Sequence, residues 1–273
     1  MGAAVPSRVD APGAFAAPAR QGRPRRMRKD HERRQLRLAD GSETTVHVAC
    51  FPLFRLRVVR LSPAAPLEEW CSRCGVENAV SGGYSVKPEQ EPLGEVWIDG
   101  RPVPHRPFSD PWNARRAALA ATNGHVGIDY RDRLPARPSG SLLQAGPLLV
   151  RDGRSAIAGI EDPEGFAATA DEFDEDLTAD REPRLAIART TDTILAVAAD
   201  GRAPHDAGLT LWELAHLLVE LGAHSAINLD GGSAGVIVAA GRRLNTPRTD
   251  DGEDMAASSP SVTAIALEPS PRN

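Results

Sequence analysis

A single amphipathic helix between two strand-like segments constrains the fold more than any other part of the sequence. Thr210, followed three residues later by Glu213, forms a capping box, and apolar residues then recur at helical spacing until Gly222. Residues 193–199 and 225–229 carry the apolar and β-branched pattern of strands. Because strand patterns outnumber helical ones elsewhere, the sequence predicts an α+β fold with a mixed β-sheet and few helices.

The amino-terminal segment differs in composition from the rest of the chain. Residues 1–40 are rich in Ala, Pro, Gly and Arg without apolar periodicity, and nine basic residues fall within 20–37. Blocks of like charge repel one another and usually remain unfolded. The sequence therefore predicts a disordered basic leader over 1–40 and one domain over 41–273, with order beginning near Thr44. A nucleic-acid-binding arm is the alternative interpretation of the leader.

Charge and hydropathy set expectations about partners. The formal net charge is -5, which favours neither nucleic acid nor an anionic membrane as a partner. No apolar stretch approaches the ~20 residues needed to span a bilayer, and no apolar region follows the arginines as it would in a secretory signal. We therefore expect a cytoplasmic protein without a membrane partner. The sequence does not indicate an oligomeric state.

Cysteines and histidines give no metal-binding pattern. The chain has three cysteines, and Cys71 and Cys74 form a CxxC motif without a second pair of ligands. The simpler interpretation is a short helix over 67–74 that ends at Gly75. A His205–Asp206 pair is weak evidence for a metal phosphohydrolase, and the acidic stretch 161–180 is expected to be an exposed loop. No cofactor is predicted, and neither the need for a divalent metal nor its identity is readable.

Asp230 is the first candidate for a catalytic role. It ends the apolar segment 225–229 and is followed by Gly231 and Gly232, so its carboxylate would lie at a strand end beside unobstructed main chain. Such a carboxylate can act as a base, a nucleophile or a metal ligand. The alternative is a hairpin turn, since Asp-Gly is a favoured turn between adjacent strands such as 225–229 and 235–240.

A series of short motifs stands in a fixed order over roughly residues 45 to 268. The later motifs are GLT, ELA, LGA, NLDGG, a single glycine and NTP at 208–210, 213–215, 221–223, 228–232, 241 and 245–247. The earlier motifs are NAVSGGYS, GEVWIDG, AGPLLVRDG, PRLAIA and DGR at 78–85, 94–100, 145–153, 183–188 and 200–202. In this order the motifs resemble the phosphodiester glycosidase family. Each motif is weak alone, and their common order makes the resemblance specific.

The resemblance implies hydrolysis of a sugar joined through its anomeric carbon to a phosphodiester, releasing free sugar and a phosphomonoester. Asp230 would stabilise an oxocarbenium-like centre or activate water, and Arg184 and Arg202 would hold the departing phosphate. Glu213 is a further candidate acid, although the capping box already explains it. The remaining substrate-binding candidates are Asn78, Gly82, Gly83, Asn228, Gly231, Gly232, Ser233 and Asn245. The expected partner is a small sugar phosphate, from a bacterial biosynthetic pathway.

Two stretches depart from the family pattern. Ser233 and Ala234 follow Gly232 where the family commonly has a third glycine and then a serine. Ser258 and Ser259 stand before the last strand where members often carry an arginine, and a missing cation would weaken anion binding. The alternative function, from a different class, is a non-catalytic sugar-phosphate-binding domain that acts as a sensor.

Overall fold

The structure, a computed structural model, describes residues 31–52, 54–86, 90–122, 124–157, 164–166 and 180–269. These residues form nineteen strands, two α-helices and two 3-10 turns. In chain order the strands are β1 (His31–Arg37), β2 (Glu43–Pro52), β3 (Phe54–Ala65), β4 (Ala79–Ser81), β5 (Ser85–Val86), β6 (Glu91–Pro92), β7 (Val96–Ile98), β8 (Arg101–Pro102), β9 (Ala117–Thr122), β10 (His125–Tyr130), β11 (Ser141–Gln144), β12 (Leu148–Arg151), β13 (Arg154–Ser155), β14 (Arg184–Arg189), β15 (Thr193–Ala199), β16 (Ser225–Asn228), β17 (Ile237–Ala239), β18 (Arg242–Arg243) and β19 (Ser261–Pro269). The helices are α1 (Leu67–Cys74) and α2 (Leu211–Glu220), and the 3-10 turns are Trp112–Ala114 and Arg131–Arg133.

The strands form three large sheets and one small one. The first large sheet has the order β1-β2-β15-β14-β16-β12-β13, the second β10-β9-β11-β7-β8 and the third β18-β17-β4-β19-β3. Strands β5 and β6 form a separate pair. Because three sheets contribute apolar side chains to one interior, most strands can bury one face without a helix.

One central core lies between the three large sheets, and each helix covers the outer face of one sheet. The central cluster takes apolar side chains from all three sheets, including Phe51, Leu119 and Ile265. Helix α2 packs its leucines on the other face of the first sheet. Helix α1 packs with Trp70 and Cys71 on the outer face of the third sheet.

The predicted α+β class and the predicted helices are confirmed. Thr210 caps α2 and forms the capping box with Glu213, and Gly75 follows α1 in a left-handed conformation. The ladders between the described strands are all antiparallel, in contrast to the mixed sheet that we expected. The crossover through α2 does link two parallel strands, β15 and β16, but β14 lies between them.

The first described strand lies inside the segment that we predicted to be a disordered leader. Strand β1 pairs with β2 along its full length, from His31 opposite Ala49 to Arg37 opposite Glu43. Its charged side chains have local partners, since Arg34 binds Glu32 at 2.8 Å, and Leu36 packs against the α2 side of the first sheet. Residues 1–30 lie outside the described residues.

The expected acidic loop and the expected absence of a membrane span can be compared only with the described residues. The acidic stretch 161–180 lies outside the described residues except for 164–166 and 180. Among the described residues, neither helix has the length and apolar character that crossing a bilayer requires.

Candidate functional site

The predicted motifs meet where the chain passes from one sheet to another. Gly82 follows β4 of the third sheet, Gly146 joins β11 of the second sheet to β12 of the first, and Asp230 follows β16 of the first sheet. The Asp230 amide donates to the Gly82 carbonyl at 3.2 Å, and the Gly146 amide donates to the Asn228 carbonyl at 3.1 Å. These backbone bonds place three connections, which are distant in sequence, side by side.

The hairpin interpretation of the Asp-Gly turn is wrong. Strand β16 pairs with β14 and β12 in the first sheet, whereas β17 pairs with β4 and β18 in the third. Residues 229–236 are therefore a connection between sheets. The turn within this connection is closed by the Gly235 amide, which donates to the Gly231 carbonyl at 2.9 Å, and Asp230 to Ser233 all remain partly exposed.

The four glycines of the site have different roles. A β-carbon on Gly82 would lie 2.7 Å from the Thr263 carbonyl oxygen, and one on Gly231 would lie 2.5 Å from the Pro183 carbonyl oxygen. The Gly83 amide donates to Thr263 Oγ1 at 3.2 Å. Protein backbone therefore explains the absence of side chains at Gly82 and Gly231. Gly232 differs, because its φ of 55° is itself a left-handed conformation that favours glycine, and the nearest atoms to a β-carbon there are those of the Arg202 guanidinium at 3.7 Å.

Arg184 lies opposite Asp230 but is buried. Residue Ala186 pairs with Asn228, and the Leu229 amide donates to the Leu185 carbonyl at 2.8 Å. Continuing this register brings Asp230 opposite Arg184. The Arg184 side chain is 4% exposed, and it donates from Nε to the Leu209 carbonyl at 2.9 Å. Burial lowers the pKa of the Arg184 guanidinium.

Arg202 is the arginine that reaches the surface of the turn. Its Nε donates to Glu182 at 2.9 Å and its Nη1 pairs with Asp250 at 2.8 Å, with 22% of the side chain exposed. Its two terminal nitrogens lie 3.7 and 3.8 Å from the position of a β-carbon on Gly232. Because its charge acts on the Arg184 guanidinium, the two cations are close enough to interact.

Tyr84 and Asn228 form a buried polar pair behind Asp230. The Tyr84 hydroxyl donates to the Gly146 carbonyl at 2.6 Å and accepts from Asn228 Nδ2 at 3.0 Å. Burial, and then the charge of Asp230, raise the pKa of the Tyr84 phenol far above its usual value, so it remains a neutral donor. Asn228 Oδ1 is buried with no hydrogen-bond partner among the described residues.

Asn78 and Asn245 act away from the turn surface. Asn78 lies at the opposite end of β4 from Gly82, where its Oδ1 accepts from the Ala240 amide at 3.0 Å. Asn245 is buried, and both ends of its side-chain amide bind backbone. Its Nδ2 donates to the Gly235 carbonyl at 2.8 Å, and its Oδ1 accepts from the Ile237 amide at 2.9 Å. The structure thus gives both asparagines a role in holding backbone.

Glu213 stabilises the first turn of α2 as a member of its capping box. Its carboxylate accepts from the Thr210 amide at 2.9 Å and from Arg181 Nη2 at 2.6 Å. Arg181 also binds Asp40 at 2.6 Å, which connects α2 to the turn between β1 and β2. These contacts occupy the carboxylate that we considered as a second catalytic acid.

The two departures from the family pattern touch each other. Ser259 Oγ donates to Ser233 Oγ at 2.8 Å, and the Ser259 amide donates to the Ser233 carbonyl at 2.9 Å. Ser258 instead binds Glu68 of α1 at 2.8 Å. A pair of hydroxyl groups therefore stands beside the glycine turn, at the place where family members often have an arginine.

The titratable residues of the described chain do not form a metal centre. Among them, no group of three or more His, Cys, Asp or Glu is placed to hold a metal ion. The His205 side chain is 73% exposed, whereas Asp206 is buried and accepts from the Thr45 amide at 2.8 Å and from Arg248 at 3.1 Å. Cys71 is buried and Cys74 is exposed, and both are free thiols.

A cavity of about 530 Å³ lies away from Asp230. It is lined by residues at the far ends of β9 and β19, including Thr122, His125 and Glu268. Thr122 is at the other end of β9 from Ala117, whose carbonyl accepts from the Ala145 amide next to the site. The surface around Asp230 is therefore separate from this cavity.

Sequence reasoning missed Tyr84, Glu182 and Asp250. Tyr84 directly follows the paired glycines, which was a local signal, but a tyrosine in a strand-rich chain is more often a core residue. Glu182 and Asp250 stand in loops without a motif of their own. Their contact with Arg202 depends on how distant loops pack, which a single sequence does not display.

Three solved structures share the fold at low sequence identity. The zebrafish N-acetylglucosamine-1-phosphodiester alpha-N-acetylglucosaminidase catalytic domain, auto-inhibited by its pro-peptide, has a TM-score of 0.65 and 18% identity over 87% of this chain and 82% of that chain. A hypothetical protein from Synechocystis has a TM-score of 0.62 and 19% identity over 86% of this chain and 61% of that chain, so this chain spans about three fifths of it. A protein of Burkholderia pseudomallei named as exported has a TM-score of 0.62 and 17% identity over 84% and 74% of the two chains. No curated protein matches the chain.

The family comparison agrees with the resemblance seen in the motifs. The model of the phosphodiester glycosidase family matches residues 75–266, which is more than half of the 273 residues and contains the three connections of the site. The chain belongs to the phosphodiester glycosidase family.

Proposed function

We propose that this protein hydrolyses a sugar-1-phosphodiester at the anomeric carbon and releases free sugar and a phosphomonoester. The observation that carries the proposal is the meeting of Asp230 and Arg202 at one partly exposed glycine turn, in a chain of the phosphodiester glycosidase family. A carboxylate and a guanidinium that belong to one turn suit a substrate whose reacting carbon becomes positive as its leaving group becomes negative.

In the proposed reaction, Asp230 and Arg202 have separate roles. Water attacks the anomeric carbon, the bond from that carbon to the phosphate oxygen breaks, and its electron pair leaves with the phosphate. The Asp230 carboxylate stabilises the oxocarbenium-like centre and accepts the proton of the attacking water. The Arg202 guanidinium binds the phosphate as its charge increases. Because a phosphate leaves as an anion, the step needs no protonation of the leaving oxygen by a second acid.

The residues beneath the turn hold these two groups in place. Arg184 lies opposite Asp230 in the strand register and is buried, so its backbone helps to position the start of the turn. Tyr84 and Asn228 fix the connections on either side through Gly146.

Replacing Asp230 by asparagine tests the proposal at the residue that carries it. We expect Asp230→Asn to lower kcat by on the order of 10²–10⁴-fold, because the side chain can no longer take a proton or oppose positive charge. Free sugar released from sugar-1-phosphodiesters, including nucleotide sugars, is the measurement. The exposed Asp251→Asn variant makes the same charge change in a neighbouring loop and should retain the wild-type rate.

The outcomes separate an enzyme from a binding domain. Equal turnover by Asp230→Asn and wild type would remove Asp230 from the mechanism. Measurable affinity for sugar phosphates without turnover by the wild type would favour a non-catalytic sensor. Circular dichroism and thermal unfolding must show that the variant is folded, and we expect that it is, because the turn is closed by backbone hydrogen bonds.

A further inference from the structure

The guanidinium of Arg202 is held between two carboxylates of unequal exposure. Glu182 binds Nε at 2.9 Å with 27% of its side chain exposed, and Asp250 binds Nη1 at 2.8 Å with 91% of its side chain exposed. The Glu182 contact fixes the orientation of the guanidinium plane. The Asp250 contact lies in solvent, where an ion pair contributes little to stability and is readily exchanged.

The backbone around Arg202 is fixed more firmly than these ion pairs. Arg202 has a φ of 61°, an uncommon left-handed conformation for a residue with a side chain. Gly201 packs against Pro183, where a β-carbon would lie 2.7 Å from the proline nitrogen, and Arg248 Nη1 donates to the Gly201 carbonyl at 2.9 Å. These contacts hold the main chain at Arg202 in place, and the Glu182 contact then limits where the guanidinium can lie.

Asp250 is held near Arg202 by a tight turn of its own. The Gly252 amide donates to the Thr249 carbonyl at 3.0 Å, and the Thr249 amide donates to the Glu253 carbonyl at 3.0 Å. A β-carbon on Gly252 would overlap the Arg202 carbonyl oxygen, so the turn packs directly on the Arg202 backbone. The Asp250 carboxylate is therefore kept at high local concentration next to Nη1 while its side chain remains free to rotate into water.

The two carboxylates paired with Arg202 oppose the binding of an anion at its guanidinium. Two carboxylates against one guanidinium leave this group with a net charge of -1. A phosphate that approaches Nη1 and Nη2 from the Gly232 side would be repelled by Asp250 as long as that carboxylate occupies Nη1. Once Asp250 turns away, the two terminal nitrogens can bind two phosphate oxygens in parallel.

We propose that Asp250 competes with the phosphate group of the ligand for Arg202 and thereby sets the affinity of the site for phosphate-containing ligands. This inference rests on the proposed function in one respect, that Arg202 is the phosphate-binding arginine. Competition by a tethered carboxylate weakens the binding of substrate and product alike. It therefore limits retention of the phosphomonoester, whose additional negative charge would otherwise bind Arg202 more strongly than the diester does.

Calorimetric titration with inorganic phosphate, at constant ionic strength and in a phosphate-free buffer, tests the competition directly. Asp250→Asn should lower the Kd for phosphate by about two- to fivefold, the range that corresponds to the loss of an exposed ion pair. Asp251→Asn removes the same charge from the adjacent exposed position and should leave the Kd unchanged. In an Arg202→Gln background, Asp250→Asn should have no effect, because the shared partner is gone.

Three results would overturn the inference. They are an unchanged Kd in Asp250→Asn, an equal decrease in Asp251→Asn, and a decrease that persists without Arg202. The absence of phosphate binding in both the wild type and Asp250→Asn counts as an unchanged Kd.

The titration requires no turnover, so its result is independent of the hydrolytic assay. A lower Kd in Asp250→Asn with no hydrolysis by the wild type would keep the competition and reject the proposed reaction. Hydrolysis by the wild type with an unchanged Kd in Asp250→Asn would keep the proposed reaction and reject the competition.

Discussion

Gly82 and Gly232 show that glycines with similar surroundings in sequence can serve opposite purposes. The Gly82 α-carbon faces Thr263 so closely that no side chain fits, whereas Gly232 leaves open space in front of the Arg202 guanidinium. The sequence left both interpretations open for each glycine, since a glycine pair accommodates either a tight contact or a ligand. The neighbouring strand decides for Gly82, whereas the left-handed φ of 55° and the open space decide for Gly232.

Replacing Gly82 by alanine tests this distinction. We expect Gly82→Ala to lower the free energy of unfolding by about 2 kcal/mol or more, because the new methyl group overlaps the backbone of Thr263. Urea unfolding followed by circular dichroism is the measurement. Gly127→Ala is the matched control in β10, since its methyl group would meet only a Leu134 side-chain carbon at 3.4 Å. Equal stability of the two variants would show that the contact at Gly82 relaxes freely.

Residues that act through local chemistry were predictable, and residues that act through packing were not. Asp230 and Arg202 lie in motifs that the sequence displays, and the Arg202 guanidinium lies beside Gly232 of the Asp230 turn, while their chemical roles stay predictions. Tyr84 becomes part of it only because Asn228, 144 residues later, binds its hydroxyl group. No periodicity or spacing along the chain encodes that contact, which arises when two sheets pack on each other.

At the scale of elements, the connections between sheets form the site and the helices support it from outside. The capping box of α2 could be predicted because it involves residues three apart, and the structure contains it. The sequence could not show which strand follows the Asp230 turn in space. An Asp-Gly pair after a strand is compatible with a hairpin as well as with a change of sheet. The sheet order decides, because β16 and β17 belong to different sheets.

Helix α2 provides a test of the role of Glu213. We expect Glu213→Gln to lower the free energy of unfolding by about 1–3 kcal/mol, since it removes the charge that binds Arg181. The rate of sugar release should remain at the wild-type value at a temperature where both proteins are folded. A large decrease in kcat with unchanged stability would instead return Glu213 to the catalytic residues.

At the scale of the whole molecule, three sheets around one core account for a chain with so few helices. The sequence predicted this class from the excess of strand patterns, but it placed the start of order too late. Strand β1 contains several of the arginines that indicated a disordered leader. Charge alone was misleading, because an edge strand keeps its arginines in solvent while Leu36 packs inward and the backbone pairs with β2.

Two truncations test where the folded domain begins. Removing residues 1–40 deletes β1, together with the apolar contacts of Leu36 and Leu38, whereas removing residues 1–30 leaves β1 intact. We expect the longer deletion to cost on the order of 3 kcal/mol more than the shorter one. That difference corresponds to a melting temperature lower by roughly 6–12 °C. Equal melting temperatures would show that β1 adds nothing to the stability of the first sheet.

The position of the broken bond is the most direct test of the central claim. Hydrolysis of a sugar-1-phosphodiester in ¹⁸O-labelled water, followed by mass spectrometry of both products, shows which atom the water attacks. Attack at the anomeric carbon, with Asp230 beside it and the phosphate on Arg202, predicts the label in the free sugar and none in the phosphomonoester. Label in the phosphomonoester would mean attack at phosphorus, and it would contradict the account of this site.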